Sequence, residues 1–153
     1  MRQEKNKIPI TILVCDDDED DRMLTQQALE DAHVSNDVRF VHDGEQLLDY
    51  LYQRGQYAGE TGAAPRPGLI LLDLNMPKMD GREALKEIKA NPELKKIPVV
   101  ILTTSTADPD IARAYDLGAN SFISKPAAYN VLVNIMRAIG QYWFNVVVLP
   151  VKA

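Results

Sequence analysis

The stretch Gly68-Leu69-Ile70-Leu71-Leu72-Asp73-Leu74-Asn75-Met76-Pro77 runs four consecutive large aliphatics into a carboxylate and then a proline. An uninterrupted apolar run of this length fits a strand buried on both faces, as in a parallel sheet covered by helices, although a short buried helix shares the pattern. The proline after Asp73 favours the strand. A carboxylate at the carboxyl end of such a strand lies where open α/β sheets bind their ligands. An Asp there also serves simply to end a strand or cap a turn, and the stretch alone leaves that second reading ahead.

Outward from this stretch the chain alternates between two periods. Residues 10–15, Ile-Thr-Ile-Leu-Val-Cys, read as a first strand that stops at an acidic run, Asp16 to Asp21. Met23, Leu24, Ala28 and Ala32 follow at helical spacing, behind an acidic first turn that complements a helix dipole. Residues 38–41 read as a second strand. Asp43 with Gln46 three residues later marks a helix start, with Leu47, Leu48 and Leu51 as its apolar stripe. Residues 54–67 are rich in Gly and Pro without apolar periodicity, a loop long enough to be an insertion or a contact surface. Asp80-Gly81-Arg82-Glu83 repeats the capping pattern before Ala84, Leu85 and Ile88, and Asn91-Pro92 ends that helix.

Residues 97–102 form a fourth apolar run, ending in Thr103-Thr104-Ser105. Asp108-Pro109 reads as cap and first-turn proline of a helix that Gly118 terminates. Residues 121–124 are a short fifth strand before Lys125-Pro126, and Val131, Leu132, Ile135, Met136 and Ile139 mark a last helix reaching towards Trp143. Strands alternating five times with helical patterns predict an α/β fold: a doubly wound, five-stranded parallel sheet with five helices. The ending Tyr142-Trp143-Phe144-Asn145-Val146-Val147-Val148-Leu149-Pro150 is too apolar to be left in water without a reason. Packing on its own domain and self-association through an apolar patch or added strand compete evenly.

The totals suit a single module. At 153 residues there is room for one domain with a real core. An excess of acid, 22 Asp+Glu against 17 Lys+Arg, gives no basic surface for nucleic acid. The one cysteine, Cys15, rules out an internal disulfide and reads as a buried thiol in a reducing compartment. No window approaches the roughly 18 apolar residues of a membrane span, and the polar first residues do not resemble a signal peptide. The expectation is a soluble, cytoplasmic protein without membrane or nucleic-acid partners. His33 and His42 have neither Cys nor a second His at metal spacing and read as surface residues.

Four strand ends share a chemistry: Asp16 and Asp17 after the first, Asp73 after the third, Thr103 after the fourth and Lys125 after the fifth. Each alone reads as a solvated charge or a turn; in a parallel sheet all four fall on one edge. Carboxylates with a nearby carbonyl make a hard oxygen site suited to Mg²⁺. Asp73 beside such a cation can attack a phosphoryl group, with Lys125 neutralising phosphoryl oxygens and the Thr103 hydroxyl donating to one of them.

With these residues, the block Leu72-Asp73-Leu74-Asn75-Met76-Pro77, Asp80-Gly81, Asp116-Leu117-Gly118-Ala119 and Lys125-Pro126, the sequence resembles the receiver domains of two-component response regulators over about residues 10–140. The resemblance implies a flavodoxin-like strand order 2-1-3-4-5 and a receiver domain over 10–143 between extensions 1–9 and 144–153. It implies Asp73 as phosphoacceptor, Mg²⁺ held by Asp17, Asp73 and the carbonyl of Asn75 with help from Asp16, and Thr103 with Phe122 as a switch pair. Thr104 is larger than the residue usual after the switch threonine, which would slow access of water to the phosphate. The long loop and the aromatic ending look like the small regulators that partner phytochrome-type histidine kinases and tend to dimerise. With no output domain following, DNA binding is not expected.

Two rivals remain. Asp16-x-Asp18 after a strand, with Thr103 and Lys125, also resembles haloacid-dehalogenase-type phosphohydrolases, in which Asp16 is nucleophile and Asp18 general acid/base. That family needs acidic ligands after its lysine, yet no Asp or Glu follows Pro126, and Asp73 is left without a role. The other rival is an interaction module that keeps the fold without the phosphorylation, against which the complete acidic site speaks.

Overall fold

The computed structural model describes residues 10–59, 64–76, 79–105 and 107–146. The expected extension 1–9, part of the 54–67 loop (60–63), Pro77 and residues 147–153 lie outside the described residues. Five strands, β1 (Ile12–Cys15), β2 (Val38–Val41), β3 (Leu69–Leu72), β4 (Val99–Thr103) and β5 (Ser121–Ser124), pair in parallel in the order β2-β1-β3-β4-β5. Between and after them come α1 (Glu19–Asp31), α2 (Gly44–Tyr52), α3 (Gly81–Ala90), α4 (Asp108–Asp116) and α5 (Tyr129–Gln141). This is the doubly wound, flavodoxin-like arrangement expected from the sequence.

The continuous apolar runs follow from a sheet buried on both faces. Leu13, Cys15, Ile70, Leu72, Val99 and Ile101 face one core with Leu47, Leu48, Ala84, Leu85 and Ile88. The alternate residues Ile12, Val14, Leu69, Leu71, Val100 and Leu102 face the other, with Ala28, Leu29, Met136 and Ile139. Side chains of a strand alternate between faces, so only an unbroken run can serve two cores. Each fully buried aliphatic contributes about 1.5–3 kcal/mol.

The helix starts follow the cap chemistry at two sites and depart from it at a third. Asp43 accepts from the Gln46 N–H at 2.8 Å, while the Gln46 side chain reaches past the cap to the His42 N–H at 2.6 Å. Asp80 accepts from the N–H groups of both Arg82 and Glu83. Asp108, expected as a cap, is instead the first residue of α4; Ala107 takes the cap position without a side-chain bond. The Ala107 N–H is met by the Ser105 hydroxyl at 3.4 Å, and the Asp108 carboxylate still lies at the positive end of the helix. At the other end Gly118, with φ +109°, follows a C-terminus closed by Ala119 N–H to Ala114 and Gly118 N–H to Tyr115, the Schellman pattern.

Two apolar stripes differ from expectation. Met23 and Leu24 are 63% and 47% exposed, and α1 instead buries Thr25, Ala28 and Leu29. On α5, Val131 is exposed, while Met136 and Ile139 enter the core. The α-helix stops at Gln141 and one π turn, Tyr142–Val146, extends it. Trp143 and Phe144 pack back against the α1/α5 core, whereas Tyr142 stays half exposed.

The start of α3 touches the end of β3 backbone to backbone. The Gly81 N–H donates to the Leu74 carbonyl at 2.9 Å. A Cβ at Gly81 would meet the Asp73 carbonyl oxygen and lie 2.7 Å from the Leu74 Cα. Backbone on both sides leaves nothing that can yield. Gly81→Ala is expected to lower stability by about 1–3 kcal/mol through overpacking, read as a reduced urea midpoint with unchanged m-value.

Candidate functional site

The strand ends bring the acidic residues together by backbone bonds alone. The Asp73 N–H donates to the Cys15 carbonyl at 3.0 Å, and the Asp16 N–H to the Val41 carbonyl at 3.1 Å. Asp16 and Asp73 are buried at 4% and 7% exposure, whereas Asp17 is exposed. One carboxylate oxygen from each of the three lies within 4.8 Å of the others. This matches the scale of the ~3–4 Å separations between ligand oxygens around Mg²⁺ with Mg–O near 2.1 Å. The donor set therefore fits a hard divalent cation. Asp17 has no hydrogen-bond or ion-pair partner among the described residues, which leaves its carboxylate available to a ligand.

Lys125 stands among these acids. Its Nζ donates to Asp16 Oδ2 at 2.7 Å, Asp21 Oδ2 at 2.9 Å and Asp73 Oδ2 at 3.2 Å. The Lys125 N–H is tied to the Thr103 carbonyl at 2.7 Å, which fixes the end of β5 against that of β4. Burial works against the charge on Lys125, but the Asp16 and Asp21 bonds and the field of Asp73 prevail and push its pKa up. Burial also pushes Asp16 up, against the Lys125 ammonium and the Asp18 N–H that accompany its charged form. The geometry is that of an anionic pocket with one internal cation and a deficit of positive charge.

Thr103 is fully buried, and its hydroxyl accepts from the Asn75 side-chain amide at 3.4 Å. The Asn75 N–H in turn donates to Asp73 Oδ1 at 3.2 Å. Phe122 is partly buried against the core beneath α4. The loop after Thr103 is held by Ser105 Oγ donating to Asp110 Oδ2 at 2.6 Å, and Asp110 also pairs with Arg82 of α3 at 2.9 Å. Thr104 is exposed. Asp18, the second carboxylate of the phosphohydrolase reading, is spent as the α1 N-cap on the Asp21 N–H.

Sequence reasoning assigned Asp16, Asp17, Asp73, Asn75, Thr103, Phe122 and Lys125, and the fold places all but Phe122 about one edge of the sheet. It missed Asp21, whose signal was its place one turn beyond Asp17 in a helix starting at that edge. Cys15 is a core residue: its thiol lies 3.4 Å from Met76 Sδ and 3.5 Å from the Asp43 carbonyl, and burial first, then nearby carboxylates, push its pKa well up. His33 and His42 are both exposed and lie outside the acidic group.

Residues 12–137 match the family model of the response regulator receiver domain. The chain is a response regulator receiver domain. The receiver is 40% identical over 150 residues to the response regulator Rcp1 of Synechocystis sp., covering 98% of this chain and 99% of that one. It is similar to the crystal structure of the phosphorylated cyanobacterial phytochrome response regulator RcpA, with 44% identity, a TM-score of 0.85 and coverage of 94% and 99%. It also resembles the Mn²⁺-bound form of Rcp1, with 40% identity, a TM-score of 0.83 and coverage of 94% and 100%. The phosphohydrolase reading of Asp16 and Asp18 is thereby set aside. Among the described residues no helix is long and apolar enough to cross a membrane.

Removing the single internal cation isolates the charge balance of the receiver. Lys125→Ala is expected to lower stability on the order of 3 kcal/mol in a chelating buffer, because buried Asp16 and Asp73 lose their counter-charge. Mg²⁺ should restore much of the loss, measured by urea denaturation with and without the cation.

Proposed function

We propose that this receiver accepts a phosphoryl group on Asp73 from the phosphohistidine of a sensor histidine kinase, with Mg²⁺ held by Asp17, Asp73 and the Asn75 carbonyl and assisted by Asp16. The observation that carries the proposal is the convergence of Asp16, Asp17 and Asp73 oxygens within 4.8 Å while Lys125 bonds two of them. The likeness to Rcp1 and RcpA supports a kinase of the phytochrome type. The single buried thiol and the kinase partnership support a cytoplasmic setting.

In the transfer, an Asp73 carboxylate oxygen forms a bond to phosphorus as the phosphorus–nitrogen bond to the imidazole breaks. The product is an acyl phosphate and a free histidine. A bound Mg²⁺ supplies charge neutralisation for phosphoryl and carboxylate oxygens. Lys125 turns from the carboxylates to the new dianion. The Thr103 hydroxyl leaves the Asn75 amide to donate to a phosphoryl oxygen, and Phe122 turns into the space behind it. Thr104 slows the approach of the hydrolytic water. The chemistry is confined to acquiring and losing its own phosphoryl group, so the protein is a signalling switch rather than an enzyme acting on other substrates. Incubation with Mg²⁺ and acetyl phosphate should label the wild type and leave Asp73→Asn unlabelled, measured by intact mass; label in the variant removes Asp73 from this role.

The domain runs over 10–143, flanked by extensions 1–9 and 144–153, and the second extension contributes to a homodimer. Exposure of Tyr142, Tyr115 and Val131 on the α4–α5 side supports this reading, although Trp143 and Phe144 are already packed inward. Sedimentation velocity with beryllium fluoride as phosphoryl mimic is expected to show tighter association than without it; identical association constants would contradict phosphorylation-linked dimerisation.

A further inference from the structure

Lys125 has three ammonium protons and three carboxylate partners, yet only two of those partners belong to the acidic group that fits a cation. Asp16 and Asp73 belong to it; Asp21 does not. Asp21 is attached to the fold differently as well. It sits in the first turn of α1, its N–H held by the Asp18 cap at 3.0 Å, and its side chain reaches Lys125 across a separation of 104 residues in sequence. A positive ion held by Asp16 and Asp73 would neutralise the two carboxylates that compete for Lys125, while Asp21 lies outside that group. Packing does not fix the ammonium by itself. A cleft of about 310 Å³, lined by Leu24, Thr25, Leu102, Thr104 and Pro126 among others, opens beside Asp21 and Lys125.

We propose that Asp21 is a positioning residue for the phosphoryl chemistry: it anchors the Lys125 ammonium independently of the metal, so that the remaining N–H groups face the phosphoryl oxygens. The inference rests on the reading of Asp73 as acceptor. Without Asp21 the ammonium has room to swing into the cleft, and the dianionic transition state loses an oriented counter-charge. An amide at this position still offers an oxygen that accepts from Lys125, although it lacks the charge.

The test compares Asp21→Ala and Asp21→Asn with wild type in labelling by acetyl phosphate at saturating Mg²⁺, with Mg²⁺ affinity measured separately by titration calorimetry. The alanine variant is expected to label about tenfold more slowly, the scale of a lost hydrogen bond to a charged group. The asparagine variant is expected to recover most of that rate. Both lose the same charge and should change Mg²⁺ affinity alike. Both keep the Asp18 cap on the residue 21 N–H, so matching urea midpoints separate positioning from folding. An alanine variant labelled at the wild-type rate overturns the proposal. So does an asparagine variant as slow as alanine, which would make charge rather than position the cause. Label persisting in Asp73→Asn is a different failure, that of the acceptor itself.

Discussion

The bond network of the Lys125 ammonium to Asp16, Asp21 and Asp73 is what allows this sheet edge to exist in its present form. Buried carboxylates gathered within a few ångströms repel one another, and each has given up solvation. One ammonium with three donors meets part of that cost and leaves the pocket short of positive charge. A site balanced in this way fits a divalent cation, whose charge would make up that deficit. Asp17, exposed and without a hydrogen-bond or ion-pair partner among the described residues, opens the pocket to solvent, and buried Asp16 and Asp73 are its floor.

Around this network the loops are joined backbone to backbone, so a displacement at one point is felt at others. The Gly81 N–H binds Leu74, one residue past Asp73, and the Gly44 N–H reaches the Met79 carbonyl at 3.2 Å. Both α2 and α3 therefore begin against the segment that follows Asp73. The Lys125 N–H on the Thr103 carbonyl joins these two residues through the main chain. Ser105, Asp110 and Arg82 extend the same connection from the loop after Thr103 to α3. Small movements at Thr103 thus have a physical route to α4.

Much of this was legible in the sequence because the strongest signals have simple causes. Two-sided burial makes β3 and β4 unbroken apolar runs, and the acids that end them stand out by contrast. Asp43 and Asp80 were readable as caps because the residues after them fit a first turn. Met23 and Leu24 misled because apolar residues at helical spacing do not say which stripe meets the core; here the smaller Ala28 lets α1 approach α5, and the larger side chains remain outside. Asp108 was displaced from the cap position by the proline at the second helical residue and a serine hydroxyl upstream, a tertiary choice that local pattern does not encode. Asp21 was hidden within a run of acids, where a solvated face is the ordinary reading. The long-range bond to Lys125 and the partial burial that goes with it distinguish Asp21 from the exposed Glu19 and Asp20. Roles for Asn75 and Phe122 came from family resemblance rather than from any local signal.

On α4, Tyr115 is 48% exposed, yet its hydroxyl accepts the Phe122 N–H at 3.0 Å. Because β5 is the edge strand among the described residues, this amide has no further strand there to receive it, and an unpaired edge is a template on which another chain can add a strand. The tyrosine occupies that donor, so a second copy gains nothing by extending the sheet there without first displacing it. The same bond ties α4 to the backbone of Phe122, so concealment of the edge and the seating of α4 on β5 are physically one arrangement.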